Sequence, residues 1–148
     1  MQAKPEAPPE LTSDGKHRRF TFVLLDQFTL LCFSAAMESL RIANRMAGQE
    51  LYSWNVLGEG GETVTCSAGT VFQVESDLNE LQRDDTIMLC GGIEVQKATT
   101  KRVLSWLRRE SRKGLTIAGL CTASYTLAKA GLLDGKRATI HWENSDSF

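Results

Sequence analysis

Short apolar runs alternate with longer amphipathic stretches along most of this chain, and the alternation restricts the possible folds more than any other feature. The run from Thr86 to Cys90 carries no charge and ends at Gly91-Gly92. Such a run is typical of a strand in the middle of a parallel sheet that is covered on both faces. Because the intervening stretches have helical length and periodicity, the sequence predicts an α/β domain built around a parallel sheet.

The predicted elements follow the order β-α-β, a small β excursion, and then β-α-β-α-β. Strands are predicted at residues 20–25, 51–57, 63–66, 70–74, 86–90, 115–118 and 137–141. Helices are predicted at residues 34–46, 95–112 and a segment ending near 131, with a short one at 76–81. Residues 1–18 hold all three prolines, so we expect a flexible leader there and one domain over residues 19–148.

Charge and hydropathy exclude several classes of function. The formal net charge of −1 excludes a strongly basic nucleic-acid platform, and the basic face of the predicted helix 95–112 is interpreted as solvated. The longest nearly uncharged apolar run, Phe28–Met37, is about half the length that a membrane-spanning helix needs. No signal peptide opens the chain. We therefore expect a soluble, cytoplasmic protein with no membrane partner.

The four cysteines form no CxxC pair and have no histidine cluster beside them, so neither a zinc site nor a disulfide framework is predicted. Cys32, Cys66 and Cys90 lie in apolar or small-residue settings and are interpreted as buried thiols. The chain has no GxGxxG motif, and the segment from Gly131 to Arg137 suits a helix end better than a phosphate loop. No metal or cofactor is predicted.

Cys121 differs from the other cysteines because it lies in the pattern Gly-x-Cys-x-Ala between a predicted strand and a predicted helix. This pattern resembles a nucleophile elbow, in which small neighbours relieve the crowding of a tight turn. The positive end of the following helix would favour the thiolate. His141 is the one histidine outside the leader and the only histidine base available to a catalytic thiol, but the sequence cannot bring the two within hydrogen-bond reach.

Ligands of open α/β sheets bind beyond the carboxyl ends of the strands. Three segments meet this rule, namely Asp26-Gln27, Gly91-Gly92 and the turn at Cys121. Backbone N–H groups from Gly91-Gly92 and from Thr122 would form an anion or oxyanion pocket beside the thiol.

The stretch from Gly119 through Cys121 to His141-Trp142-Glu143-Asn144 resembles the signature of ThiJ/PfpI-type, class I glutamine amidotransferase-like domains. More narrowly, it resembles the version at the N-terminus of GlxA-type AraC-family transcription regulators. Residues 28–45 and 50–54 are similar to the subgroup that regulates choline, glycine betaine, carnitine and arginine catabolism. The likeness spans about residues 19–148 and implies a flavodoxin-like parallel-sheet sandwich that dimerises.

In this family a separate C-terminal helix-turn-helix domain binds DNA, and that domain is absent from the chain. Family members continue beyond the HWEN motif, whereas this chain ends at Phe148. The resemblance therefore implies a C-terminally truncated sensor domain, which would meet DNA only through the absent part.

Two departures from the enzyme relatives bear on catalysis. Hydratase-like relatives carry an aspartate in a DxxGP segment after the first strand, where this chain has Cys32 and, at the proline position, Ala36. Thr122 stands where the protease-like branch has a histidine. Losing both helpers favours a sensing pocket over catalysis.

The resemblance thus implies an effector-sensing and dimerisation domain for a small amine or amino-acid metabolite. The ligand-binding residues expected from the resemblance and the elbow pattern are Gly91, Gly92, Cys121, Thr122, His141 and Trp142, with Trp54 and Trp142 as aromatic partners for a cation. The alternative is a Cys-dependent amidase, hydratase or glyoxalase that uses Cys121 and His141. A third interpretation is a dimerisation module without a ligand.

Overall fold

Four parallel strands form the central sheet of the computed structural model, which describes residues 17–147. The strands within the described residues, including two outside this sheet, are β1 (Arg18–Leu24), β2 (Tyr52–Gly58), β3 (Thr63–Thr65), β4 (Val71–Gln73), β5 (Thr86–Cys90) and β6 (Thr116–Leu120). The sheet has the order β2-β1-β5-β6, and β3 and β4 form a separate antiparallel pair. The predicted parallel α/β fold is confirmed. The chain reverses direction across the sheet between β1 and β5, where such sheets form ligand crevices.

The helices are α1 (Leu30–Ala47), α2 (Val95–Ala98), α3 (Lys101–Ser111) and α4 (Ala123–Lys129), and a 3₁₀ helix spans Trp142–Ser147. Helix α1 begins four residues before the predicted start, because Thr29 is extended and accepts the first helical N–H, that of Phe33, at 3.5 Å. The helix ends at Gly48, whose φ of 64° allows the chain to turn away. Across residues 17–147, no helix combines the length and hydropathy that a membrane crossing requires.

The predicted helix over residues 95–112 is wrong as one element, because Thr99 and Thr100 interrupt it. The Thr100 hydroxyl accepts the backbone N–H of Val103 at 3.1 Å and so begins α3 as a new helix.

The short helix predicted for residues 76–81 does not form either, because its backbone groups pair with side chains of α3. Trp106 Nε1 donates to Asn79 O at 2.7 Å, and Leu81 N donates to Glu110 Oε2 at 3.2 Å.

The predicted strand over residues 137–141 is also wrong, although its composition favours strand. These residues have no regular structure and stay largely exposed. A strand needs a neighbour for its hydrogen bonds, and among residues 17–147 β6 pairs only with β5. Residues 1–16 of the expected leader lie outside the described residues, whereas His17 lies 3.5 Å from Glu50 and Arg18 already belongs to β1.

Alternate side chains of the strands enter two apolar clusters, one on each face of the sheet. Val23 and Leu89 lie in one cluster with Trp106 and Leu107 of α3. Phe22 lies in the other, which also holds Phe28, Phe33 and Val64. Burial on both faces explains why β1 is apolar from Phe22 to Leu24 and β5 from Ile87 to Cys90.

Glu110 on α3 is a buried carboxylate that ties the connection before β5 to the helix. Its side chain is fully buried and accepts from Arg109 Nε at 2.9 Å, Lys113 Nζ at 2.8 Å and Leu81 N at 3.2 Å. Desolvation raises the pKa of Glu110, whereas these three hydrogen bonds lower it. The hydrogen bonds have the larger combined effect, so the pKa of Glu110 is lowered overall.

We expect Glu110→Gln to lower the free energy of unfolding by about 2 kcal/mol at pH 7, because three donors lose a charged acceptor. A lowered pKa in the folded state stabilises the protein above the unfolded value of about 4.3 and ceases to do so as the pH falls through the folded value. The difference between wild type and variant, measured by urea unfolding, therefore shrinks below about pH 4.

Glu80→Gln is the matched control, since Glu80 also pairs with Lys113 but is 80% exposed. Its effect should stay below about 0.5 kcal/mol. Equal effects of the two substitutions at pH 7 would contradict the role assigned to Glu110.

Candidate functional site

Cys121 occupies the turn between β6 and α4 in a left-handed conformation, with φ of 56°. A non-glycine residue in this region carries strain, typically about 1–2 kcal/mol, which surrounding contacts must hold in place. A Cβ on Gly119 would lie 3.0 Å from Leu127 Cδ1 and 3.2 Å from Ser124 N, so the glycine lets α4 pack against the end of β6. This is the backbone geometry that the Gly-x-Cys-x-Ala pattern predicts.

The Gly91-Gly92 turn at the end of β5 lies against both the elbow and the segment after β1. A Cβ on Gly91 would lie 2.6 Å from Ala123 N, and one on Gly92 would lie 1.9 Å from Gln27 O. Each carbonyl of the turn accepts a hydrogen bond, Gly91 O from Thr29 N at 2.9 Å and Gly92 O from the Thr122 hydroxyl at 2.7 Å. Two segments that are far apart in sequence therefore meet at this turn.

The polar side chain in contact with the Cys121 thiol is the hydroxyl of Thr29, which is itself close to a second thiol, that of Cys32. Thr29 Oγ1 lies 3.5 Å from Cys121 Sγ, and Cys32 Sγ donates to Thr29 O at 3.0 Å. Cys32 Sγ also lies 4.0 Å from Gly91 O, so the residue expected at the aspartate position borders the Gly91-Gly92 turn. Within residues 17–147, no carboxylate is hydrogen bonded to Cys121, Thr29 or Cys32.

The three cysteines that the sequence assigned to the interior are not equally buried. Cys66 and Cys90 are fully buried, whereas Cys32 is only half-buried because it lies in the first turn of α1, near the site. The nearby Cys90 thiol lowers the pKa of Cys32, an effect that outweighs desolvation, and the pKa of Cys90 is correspondingly raised. The expectation of a buried thiol is therefore wrong for Cys32.

Two backbone donors near the thiol have no protein acceptor. In the part of the chain that the structure describes, the N–H groups of Gly92 and Thr122 make no hydrogen bond to protein. The N–H of Gly91, in contrast, donates to Leu120 O at 3.2 Å within the sheet. Of the N–H groups expected from sequence to face an anion, that of Gly91 is therefore already paired, whereas those of Gly92 and Thr122 have no acceptor within residues 17–147.

His141 and Trp142 occupy the C-terminal segment beside the 3₁₀ helix. His141 Nδ1 accepts from Glu143 N at 3.3 Å and lies 3.7 Å from Glu143 Oε2, and within residues 17–147 no hydrogen bond joins His141 to Cys121. The Trp142 ring is 76% exposed and its centroid lies 5.6 Å from that of His141. Trp54 is half-buried and packs on the cluster around Phe22.

Sequence reasoning missed a cavity of about 380 Å³ at the same edge of the sheet. The end of β1, the connection after β2, and helices α2 and α3 form its walls, and Glu59 and Thr100 line it. The sequence indicated this region only through Asp26-Gln27, which follows β1 at the end of the sheet where ligands bind and which lines the cavity. Within residues 17–147, no group of three or more His, Cys, Asp or Glu side chains is arranged to hold a metal ion.

Comparison with known proteins identifies several regulators among the relatives. The sequence is 42% identical over 129 residues to the HTH-type transcriptional regulator CdhR of Pseudomonas aeruginosa, covering 87% of this chain and 38% of CdhR. It is 35% identical over 139 residues to the regulator GbdR of the same species, covering 94% of this chain and 37% of GbdR. A shorter match, 32% identical over 84 residues, is to isonitrile hydratase of Pseudomonas putida and covers 56% of this chain and 37% of the hydratase.

The fold is similar to that of a solved AraC family transcriptional regulator from Pseudomonas putida, with a TM-score of 0.72 and 25% identity. That likeness covers 88% of this chain and 70% of the solved one. The chain spans less than half the length of CdhR and GbdR. The model of the DJ-1/PfpI family matches residues 18–148. The resemblance drawn from the elbow and HWEN motifs is confirmed, and the chain belongs to the DJ-1/PfpI family.

Proposed function

We propose that this domain senses a small amine or amino-acid metabolite for a bacterial AraC-type transcription regulator. One observation carries the proposal: within residues 17–147 the elbow thiol of Cys121 contacts the Thr29 hydroxyl and is hydrogen bonded to no carboxylate. Hydrolytic use of a cysteine needs a base to activate the thiol and to move protons during turnover. An elbow without one retains the shape of a pocket but lacks the proton-transfer group.

The proposed pocket lies at the elbow, where the backbone donors suit a ligand that carries a carboxylate. The unpaired N–H groups of Gly92 and Thr122 supply donors for it, and a donor without a protein acceptor gains most from binding an anion. Cys121 lines this pocket as a polarizable neighbour rather than as a nucleophile. The exposed ring of Trp142 is the aromatic surface proposed for the cationic part of the ligand, with His141 beside it.

In the whole regulator, ligand binding would shift the domain between two arrangements and so alter DNA binding elsewhere in the protein. Dimerisation through this domain and DNA contact through a separate helix-turn-helix domain are parts of the same proposal. The similarity to CdhR and GbdR, both named as HTH-type regulators, supports it.

An enzyme of the hydratase, amidase or glyoxalase type is the second candidate. The left-handed conformation of Cys121 favours it, since this strained geometry exposes a nucleophile in enzymes that have an elbow. The partial likeness to isonitrile hydratase favours it as well. One observation disfavours it: within residues 17–147, His141 contacts Glu143 and makes no hydrogen bond to Cys121.

We expect at least one compound among glycine betaine, carnitine, choline and arginine to raise the unfolding temperature of the protein, and to do so equally in Cys121→Ser. A ligand at 100 times its Kd adds about 2.7 kcal/mol, which corresponds to several degrees for a domain of this size. Differential scanning fluorimetry measures the shift.

A Cys121→Ser variant that folds but has lost every ligand-induced shift would contradict sensing without thiol chemistry. Consumption of an isonitrile, amide or α-dicarbonyl by wild type, absent in Cys121→Ala, would establish the enzyme instead. A dimer that no compound stabilises would favour the module without a ligand.

The lowered pKa of Cys32 gives a separate test of thiol chemistry at the site. We expect Cys32 to react with iodoacetamide with a pH midpoint below the ordinary cysteine value of about 8.5, because the Cys90 thiol stabilises its thiolate. Cys90→Ala should move the midpoint upward, whereas Cys66→Ala, which removes another fully buried thiol, should leave it unchanged. Mass spectrometry of the labelled peptides locates the reaction, and an unchanged midpoint in Cys90→Ala would refute this origin.

A further inference from the structure

The cavity of about 380 Å³ near Asp26 is separate from the elbow site. It lies within the size range of small-molecule pockets. None of the six residues expected at the elbow lines it, whereas Gln27, whose backbone packs against Gly92, does. Its chemistry can therefore be considered independently of Cys121.

Carboxylates dominate the polar part of the cavity lining. Asp26, Glu59 and Glu94 line it together with one cation, Lys97, which already forms an ion pair with Glu94. Within residues 17–147, neither Asp26 nor Glu59 has a cationic side chain within 4.0 Å. The cavity thus keeps an excess of negative charge that the protein does not pair.

Glu59 is the better placed of the two unpaired carboxylates. It is half-buried, and the Thr100 hydroxyl donates to both of its oxygens at 3.0 Å. The same hydroxyl accepts the Val103 N–H, so the start of α3 holds Thr100, and through it Glu59, in one orientation. A carboxylate has about four lone-pair sites, and a single hydroxyl proton leaves most of them available. Arg102, the cation that acts on Glu59 at longer range, is itself hydrogen bonded to Asp77.

Apart from the uncharged polar residues Gln27, Thr63 and Thr100, the remaining lining is apolar. Val23, Leu25, Leu78 and Val103 line the cavity and belong to the buried surface of the sheet and its helices. An apolar wall beside an oriented carboxylate suits an organic cation, because burial of carbon against that wall is favourable.

We propose that this cavity is a second ligand site, which binds a small primary ammonium or guanidinium compound with a short aliphatic part. Glu59 is the ionic partner, Asp26 attracts the cation at the rim, and the apolar wall takes the aliphatic part. The proposal does not rest on the effector site proposed at Cys121, and either site can exist without the other.

A hydrogen bond between the α2–α3 connection and α4 links the wall of this cavity to the helix that follows the elbow. Thr99, beside Thr100, shares a hydrogen bond of 2.7 Å with Thr126 of α4, the helix that follows Cys121. Glu59 is therefore connected to the elbow helix α4 through Thr100, Thr99 and Thr126.

NMR titration of the full ¹⁵N-labelled chain with n-butylammonium and n-butylguanidinium tests the proposal, with n-butanol and butyrate as the neutral and anionic controls. We expect saturable shifts at Glu59, Thr100 and Val103 for the two cations only. Glu59→Gln should raise the Kd about tenfold or more, since a charged hydrogen-bonded partner is lost while the amide oxygen still accepts from Thr100. Glu62→Gln removes one charge from the exposed surface nearby without touching the cavity and should leave the Kd within about twofold.

Several outcomes would overturn the proposal. Equal weakening by Glu59→Gln and Glu62→Gln would mean general attraction to a negative surface, and equally tight binding of n-butanol would mean an apolar pocket without charge recognition. Binding that survives Glu59→Gln but disappears in Cys121→Ala would put the cation at the elbow, and so would the absence of shifts around Glu59. If Glu59→Gln does not fold, Asp26→Asn, at an exposed position, should still raise the Kd about threefold.

Discussion

The close approach of three segments at Gly91-Gly92 is the contact on which the site depends. The segment after β1 presses Gln27 O onto Gly92, and the elbow presses Ala123 N onto Gly91. Any Cβ at Gly92 would overlap backbone atoms, which have no freedom to move aside. The turn therefore brings the ends of β1, β5 and β6 to one place, and both proposed ligand sites lie along that edge.

The site has the backbone turn of a nucleophile elbow, but this turn is not by itself sufficient for catalysis. The elbow keeps Cys121 in a strained backbone conformation, and the surrounding contacts of Thr29 and Thr122 hold it there. Catalysis would require a base as well as this shape. At the position that the resemblance equates with the hydratase aspartate, the chain has Cys32, whose thiol interacts with Thr29 and Cys90. A binding function can use the inherited shape without that base.

The sheet and the elbow were predictable because each depends on local patterns. Uncharged runs such as Thr86–Cys90 have no alternative to burial on both faces, and Gly-x-Cys-x-Ala has few uses other than a tight strand-to-helix turn. The predictions that failed concern segments whose partners are distant in sequence. In the predicted helix 76–81, Asn79 O accepts from Trp106 and Leu81 N donates to Glu110, and within residues 17–147 the segment 137–141 joins no neighbouring strand. Propensity cannot report such partners.

Local sequence patterns therefore established the parallel α/β class and the position of the elbow, whereas the family was indicated by the resemblance of the elbow and HWEN motifs. Side-chain periodicity and small residues act over a few positions, and they carry that information directly. The tertiary structure alone revealed which groups meet: Thr29 beside Cys121, Cys32 beside Gly91, and Glu59 oriented by Thr100 at the cavity. These contacts join residues between 41 and 92 positions apart. Such pairs arise from the crossing of strands and helices, and no local pattern encodes them.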